Sequence, residues 1–141
     1  MGGQVWLGLD IGTRRIGVAK SDGLGITAQP YDVVHRQNKK HDLQTIARMA
    51  EKEQASGFVV GLPIRTDGSK GPETDYVEQF AAKLGEHTQL PIKWVDERFT
   101  TVIAERALKE QGLKAPQRRH RVDQVAAALI LQTFLDRRQK T

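Results

Sequence analysis

Cysteine is absent from the 141 residues. Disulfides and thiolate metal sites are thereby excluded, and a reducing cytosol suits such a chain. No apolar run approaches the ~20 residues of a membrane span, so no membrane partner is expected. The first residues lack the basic region and long apolar stretch of a secretory signal, and a cytoplasmic protein is the expectation. Internal repeats, low-complexity tracts and linkers long enough to separate domains are missing too, so residues 1–141 read as a single domain. A domain of this size buries roughly 68–70% of its unfolded surface and needs no covalent staple. The histidines His35, His41, His87 and His120 are scattered without ligand spacing and read as surface residues.

What the chain has is basic charge, and it is unevenly placed. The net charge is +5; residues 1–97 hold 12 Lys/Arg against 13 Asp/Glu, and residues 98–141 hold 10 against 4. Within that basic third, Arg118, Arg119 and Arg121 crowd around His120. Such a cluster reads either as a solvated surface or as a phosphate-binding one, because clustered cations displace counterions condensed on nucleic acid.

The opening "VWLGLDIGTRRIGVAKSD" alternates Val5, Leu7, Leu9 and Ile11 with Trp6, Gly8 and Asp10, then turns at Gly12-Thr13 and returns. This pattern predicts a hairpin, with a third extended stretch from the Gly23–Gly25 turn to about Val34. Helical spacing follows over 39–55, with Leu43, Ile46, Ala47 and Ala50 on one side. "GFVVGLP" (57–63) is a short buried strand, 74–86 a helix with Val77, Phe80, Ala81 and Leu84, and "LPIKWVD" (90–96) the last strand. Two helices, about 101–111 and 122–138, finish the chain, separated by Gly112 and Pro116. Right-handed crossovers make the fourth and fifth strands parallel to the first. The expectation is an α/β fold, a five-stranded mixed sheet of order 3-2-1-4-5 flanked by helices. Asp10 then stands at the carboxyl end of the central strand, where open α/β sheets bind ligands.

A carboxylate closing a buried strand needs a partner or a metal. "WVDERFTT" (94–101) brings Asp96 and Glu97 to the end of a parallel strand. Strand alternation sends these two to opposite faces, and Glu97, with the longer arm, is the better candidate to meet Asp10, leaving Asp96 structural. In "RRHRVDQVAAALILQTFL", Val122, Val125, Ala126, Leu129, Ile130 and Phe134 define a packing face with Asp123 beside it. An acid there also complements the helix dipole. Three carboxylates without cysteine suit a hard cation, Mg²⁺ or Mn²⁺, better than zinc. Two such ions about 3.5–4 Å apart can activate water and stabilise the leaving oxygen of a phosphodiester. Gly8 and Gly17 are expected to leave a trough beside Asp10 that accepts a backbone phosphate.

The blocks "LDIGTRRIGVA", "VVGLPIRTDGS", "VDERFTT" and "RVDQVAAALIL" together resemble the YqgF (RuvX) family of Holliday junction resolvases and pre-16S rRNA nucleases. The resemblance covers nearly the whole chain. It implies a ribonuclease H-like fold and a divalent-metal-dependent endonuclease of the bacterial cytoplasm, acting on rRNA precursor or branched DNA. The family's acidic positions fall on Asp10, Glu97 and Asp123. Related resolvases outside the family carry an acid after the fourth strand, where this chain has Gly61-Leu62-Pro63, which leaves one metal ion or two open. Where the family often has Asn, this chain has Arg65, a further candidate phosphate contact beside Arg98, Arg118, Arg119 and Arg121. Asp67 is a weaker candidate as a fourth acid.

Two other readings start from the same residues. "DIGT" also resembles the first phosphate loop of actin-like and sugar kinases, but those proteins need a second similar lobe to close over ATP. A non-catalytic RNA- or DNA-binding module of the same fold is the stronger rival. Three acids beside a phosphate chain argue against it unless metals neutralise them. A two-fold DNA junction would call for a homodimer, although no dimer signature is visible.

Overall fold

Alternation in the first twenty residues builds a hairpin. In the computed structural model, which describes residues 4–98 and 115–139 (side chains of the last stretch over 122–138), β1 (Val5–Ile11) and β2 (Arg15–Ser21) pair antiparallel. The Gly12 N–H donates to the Arg15 carbonyl at 2.9 Å across the turn. A Cβ on Gly12 would stand 2.7 Å from that oxygen, so the turn requires glycine. β3 (Ala28–His35) adds antiparallel to β2. β4 (Ala55–Leu62) lies parallel to β1, and β5 (Ile92–Asp96) parallel to β4. The order is β3-β2-β1-β4-β5, as the strand pattern predicts.

Helix boundaries depart from the sequence pattern for local reasons. α1 (Lys39–Lys52) begins at Asn38, whose side chain accepts from the His41 N–H at 2.8 Å. Its apolar spacing continues to Ala55, yet Gln54 turns to φ 53° and Ala55 already belongs to β4. α2 (Pro72–Thr88) starts ahead of Thr74 because Pro72 can open a helix, where its missing N–H has no partner to lose. α3 (Ala115–Gln139) starts well before Val122. Pro116, expected to separate two helices, lies in the first turn of this one, where proline is tolerated. The helix expected over 101–111 lies outside the described residues.

The sheet is covered on both faces. Leu7, Leu9, Ile11, Phe58 and Val60 pack with Ile46 of α1 and with Val77, Phe80 and Leu84 of α2. On the other face Trp6, Ala19, Val59 and Val95 pack against Ala127, Ile130, Leu131 and Leu135 of α3. Each fully buried aliphatic or Phe side chain in these layers stabilises the fold by roughly 1.5–3 kcal/mol. Of the stripe expected on α3, Ala126 and Ile130 are buried, Val122, Val125, Leu129 and Phe134 are only half-buried, and Ala127, Leu131 and Leu135 are buried in addition. Glycines on the sheet let the Asp123–Leu131 side of α3 approach closely. A Cβ on Gly8 would stand 2.8 Å from the Ala127 carbonyl, and one on Gly17 would collide with the Asp123 carbonyl. The expected phosphate trough is therefore filled by the backbone of α3 itself.

Candidate active site

Strand parity decides which acids can meet. Trp6 packs on the α3 face of β1, and Asp10, four residues on, points to the same side. In β5, Val95 is buried against α3 and pairs with Gly61 of β4, while Asp96 pairs with Leu62. Glu97 follows β5, its N–H donating to the Leu62 carbonyl at 3.2 Å, so it shares the α3 face with Asp10. Between them lies Gly61. A Cβ there would collide with Glu97 Oε2 and with Ile130 Cδ1, which places the Glu97 carboxylate over the glycine. The missing acid of the fourth strand and the reach of Glu97 are thus one feature.

Asp10 and Glu97 are both difficult to ionise. Burial, and secondarily the charge of Asp123, raises Asp10 from 3.8 to about 7. Burial, followed by the charges of Asp10 and Asp96, raises Glu97 from 4.5 to about 8. Enclosure and mutual repulsion disfavour the charged forms together. Asp96 behaves oppositely. Burial works against its charge, but Arg98 prevails and holds it below the usual range, through Nη2 at 2.7 Å, Nε at 2.8 Å and the backbone N–H at 3.0 Å.

Asp123 is engaged by a residue that sequence reasoning missed. Arg15 Nε lies 2.5 Å from Asp123 Oδ2. The signal was present, since Arg15 sits two residues before Gly17, the cross-strand partner of Asp10, and so shares its face. A second overlooked arginine, Arg36, braces the turn after Asp10. Its Nη1 donates to the Gly12 carbonyl at 3.0 Å, its Nε binds the buried Asp42 at 3.0 Å, and it stacks over Phe80.

Arg65 donates to Glu73 at 3.1 Å and lies against Gly71, and Arg98 is bound to Asp96. Asp67 accepts from the Ser69 N–H at 2.8 Å in the exposed β4–α2 loop. Arg118, Arg119 and Arg121 fall within α3 rather than ahead of it, and their side chains lie outside the described residues. His35 and His87 are exposed, and His41 contacts Asp42 at 3.3 Å.

Among the described residues no three His, Asp or Glu side chains gather as a ready metal cage. The donor chemistry nevertheless fits a hard divalent cation. Asp10 and Glu97 offer oxygen ligands on one face, and a cation would relieve the cost of ionising both. Arg15 holds Asp123 Oδ2 and so competes with a cation for that carboxylate.

The sequence profile of the RuvX family, described as Holliday junction resolvase, matches residues 4–137. The chain belongs to the RuvX family. Relatives include a "Putative pre-16S rRNA nuclease" of Koribacter versatilis, 46% identical over 132 residues, spanning 94% of this chain and 86% of that protein. A protein of the same name from Agrobacterium fabrum is 45% identical over 134 residues, with 95% and 84% covered. Among solved structures, T. thermophilus RuvC in complex with a Holliday junction substrate superimposes with a TM-score of 0.63 at 16% identity, covering 98% of this chain and 97% of that one. That likeness carries the fold, which is ribonuclease H-like. RuvX membership and the relatives' names together place the chain among nucleases.

Proposed function

We propose that this chain is a divalent-metal-dependent endonuclease that cleaves phosphodiester bonds in structured RNA, the 5′ region of the 16S rRNA precursor foremost. The observation that carries this reading is that Glu97 reaches over Gly61 on the sheet face that Asp10 shares, near enough for the Asp10 charge to act on it, with both carboxyls pushed toward neutrality. The names of the relatives support the RNA substrate, and a ribosomal precursor implies a cytoplasmic site of action. Asp10 and Glu97, joined by Asp123, would hold Mg²⁺ or Mn²⁺. When bound, the ion would polarise a phosphate oxygen and assist attack by water. The chain itself contributes the carboxyls of Asp10 and Glu97 on one face of the sheet, with Asp123 held nearby by Arg15, and one of these acids can take the proton of the attacking water. Arg98, Arg65, Arg118, Arg119 and Arg121 are assigned to nucleic-acid phosphates.

The family description favours a second reading, resolution of branched DNA, which would require a homodimer on a two-fold junction. The Arg15–Asp123 ion pair favours a third, a non-catalytic RNA- or DNA-binding module, because it leaves one acid already neutralised. A labelled 16S leader RNA and a four-way DNA junction, each incubated with Mn²⁺ or EDTA, separate the three. Site-specific RNA cleavage that EDTA abolishes is expected. Cleavage of the junction alone would select the second reading, and tight binding with no cleavage of either would select the third.

A further inference from the structure

The Arg15–Asp123 pair joins a fixed backbone to side chains that can move. The backbone of Asp123 is fixed, since its carbonyl is seated against Gly17 and the Ala127 carbonyl against Gly8. Its charge already reaches Asp10. The side chains are freer, being 29% exposed for Arg15 and 19% for Asp123. A change of partner therefore needs only side-chain rotation, with α3 staying where it is. The guanidinium can accept such a change, because carboxylate and phosphate oxygens satisfy its fork of N–H donors equally well.

We propose that Arg15 is a placeholder cation, which occupies Asp123 until a nucleic-acid phosphate draws it away and frees the carboxylate for the metal. Uptake of the metal is thereby coupled to the arrival of substrate, and the protein without nucleic acid holds its ion weakly through Asp10 and Glu97. Arg15 is a positioning residue in this scheme: it acts through Asp123 before substrate arrives and contacts a phosphate afterwards. The inference rests on the nuclease reading above and adds an order of events to it.

The test measures Mn²⁺ affinity of the full chain without nucleic acid, by the loss of the free-ion electron paramagnetic resonance signal. Arg15→Gln is expected to bind Mn²⁺ about tenfold more tightly than wild type, because a competing charged hydrogen bond is gone. Arg15→Lys should fall between them. In an Asp123→Asn background the gain from Arg15→Gln should largely vanish, which separates competition for Asp123 from a general change of charge. Thermal melting confirms that each variant is folded. Equal or weaker Mn²⁺ binding by folded Arg15→Gln overturns the inference, as does an undiminished gain in the Asp123→Asn background. Absence of any Mn²⁺ uptake that Asp10→Asn abolishes would instead overturn the nuclease reading itself.

Discussion

The carboxylate of Glu97 lies over Gly61, in the space that a side chain on β4 would occupy. Through this glycine an acid from the edge strand reaches the face of the central strand. Gly61→Ala would force Glu97 and Ile130 to shift. The substitution should cost about 1–3 kcal/mol of stability, as overpacking does, and lower cleavage by about 10²-fold, the scale expected of a misplaced catalytic group. Urea unfolding and single-turnover cleavage measure the two effects separately.

Parity makes the neighbours Asp96 and Glu97 unequal. Loss of a group that supports a metal ligand costs about 10–100-fold, so replacing a ligand should cost more. Glu97→Gln should therefore reduce cleavage by at least about 10²-fold, and Asp96→Asn, which releases Arg98, by less than about tenfold. Initial rates at saturating Mn²⁺ compare them, and a reversed order would put Asp96 at the metal.

The raised acids have a stability signature. Asp10 titrates near 3.8 when unfolded and near 7 when folded, so its neutral form favours the fold. That contribution is complete below about pH 4 and is lost as pH rises through about 7; Glu97 extends the loss to about 8. Metal-free Asp10→Asn, which cannot ionise there, should melt at least about 4 °C above wild type at pH 8, corresponding to roughly 1 kcal/mol in a domain of this size. At pH 5 the gap should be smaller. Melting curves at the two pH values check this, and a gap independent of pH would refute the assigned environment.

Gly17 acts on α3 rather than on an acid directly. A Cβ there meets the Asp123 carbonyl, a backbone atom that can move only with the whole helix. Gly17→Ala should cost about 3 kcal/mol or more, at the upper end of overpacking penalties. A urea midpoint within error of wild type would mean that α3 stands off the sheet.

Much of this fold could be read in the sequence because side chains alternate between the two covered faces of the sheet. Leu7, Leu9 and Ile11 on one side and Trp6, Gly8 and Asp10 on the other suffice to orient β1, and two crossovers then determine the strand order. Alternation put Asp96 and Glu97 on opposite faces, and the longer arm of Glu97 singled it out as the candidate to meet Asp10. What escaped depends on close approach between distant segments. Nothing local in "RVDQVAAALIL" tells that the Asp123–Leu131 side of the helix comes down on Gly8 and Gly17, so the trough was misjudged and the stripe was right at Ala126 and Ile130 but missed Ala127, Leu131 and Leu135. Pro116 carried two meanings, break or first turn, and the tertiary context chose the second. Arg15 was overlooked because its partner lies 108 residues away in sequence.

Cleavage by Asp10→Asn tests the central claim most directly. The substitution keeps the shape of the side chain and removes its charge at the point where the site is most enclosed. A folded variant should bind the labelled 16S leader RNA as well as wild type or better, since a repelling charge is gone, and cut it at least about 10²-fold more slowly at saturating Mn²⁺. Near-normal turnover by that folded variant would contradict the assignment of Asp10 and, with it, of the site.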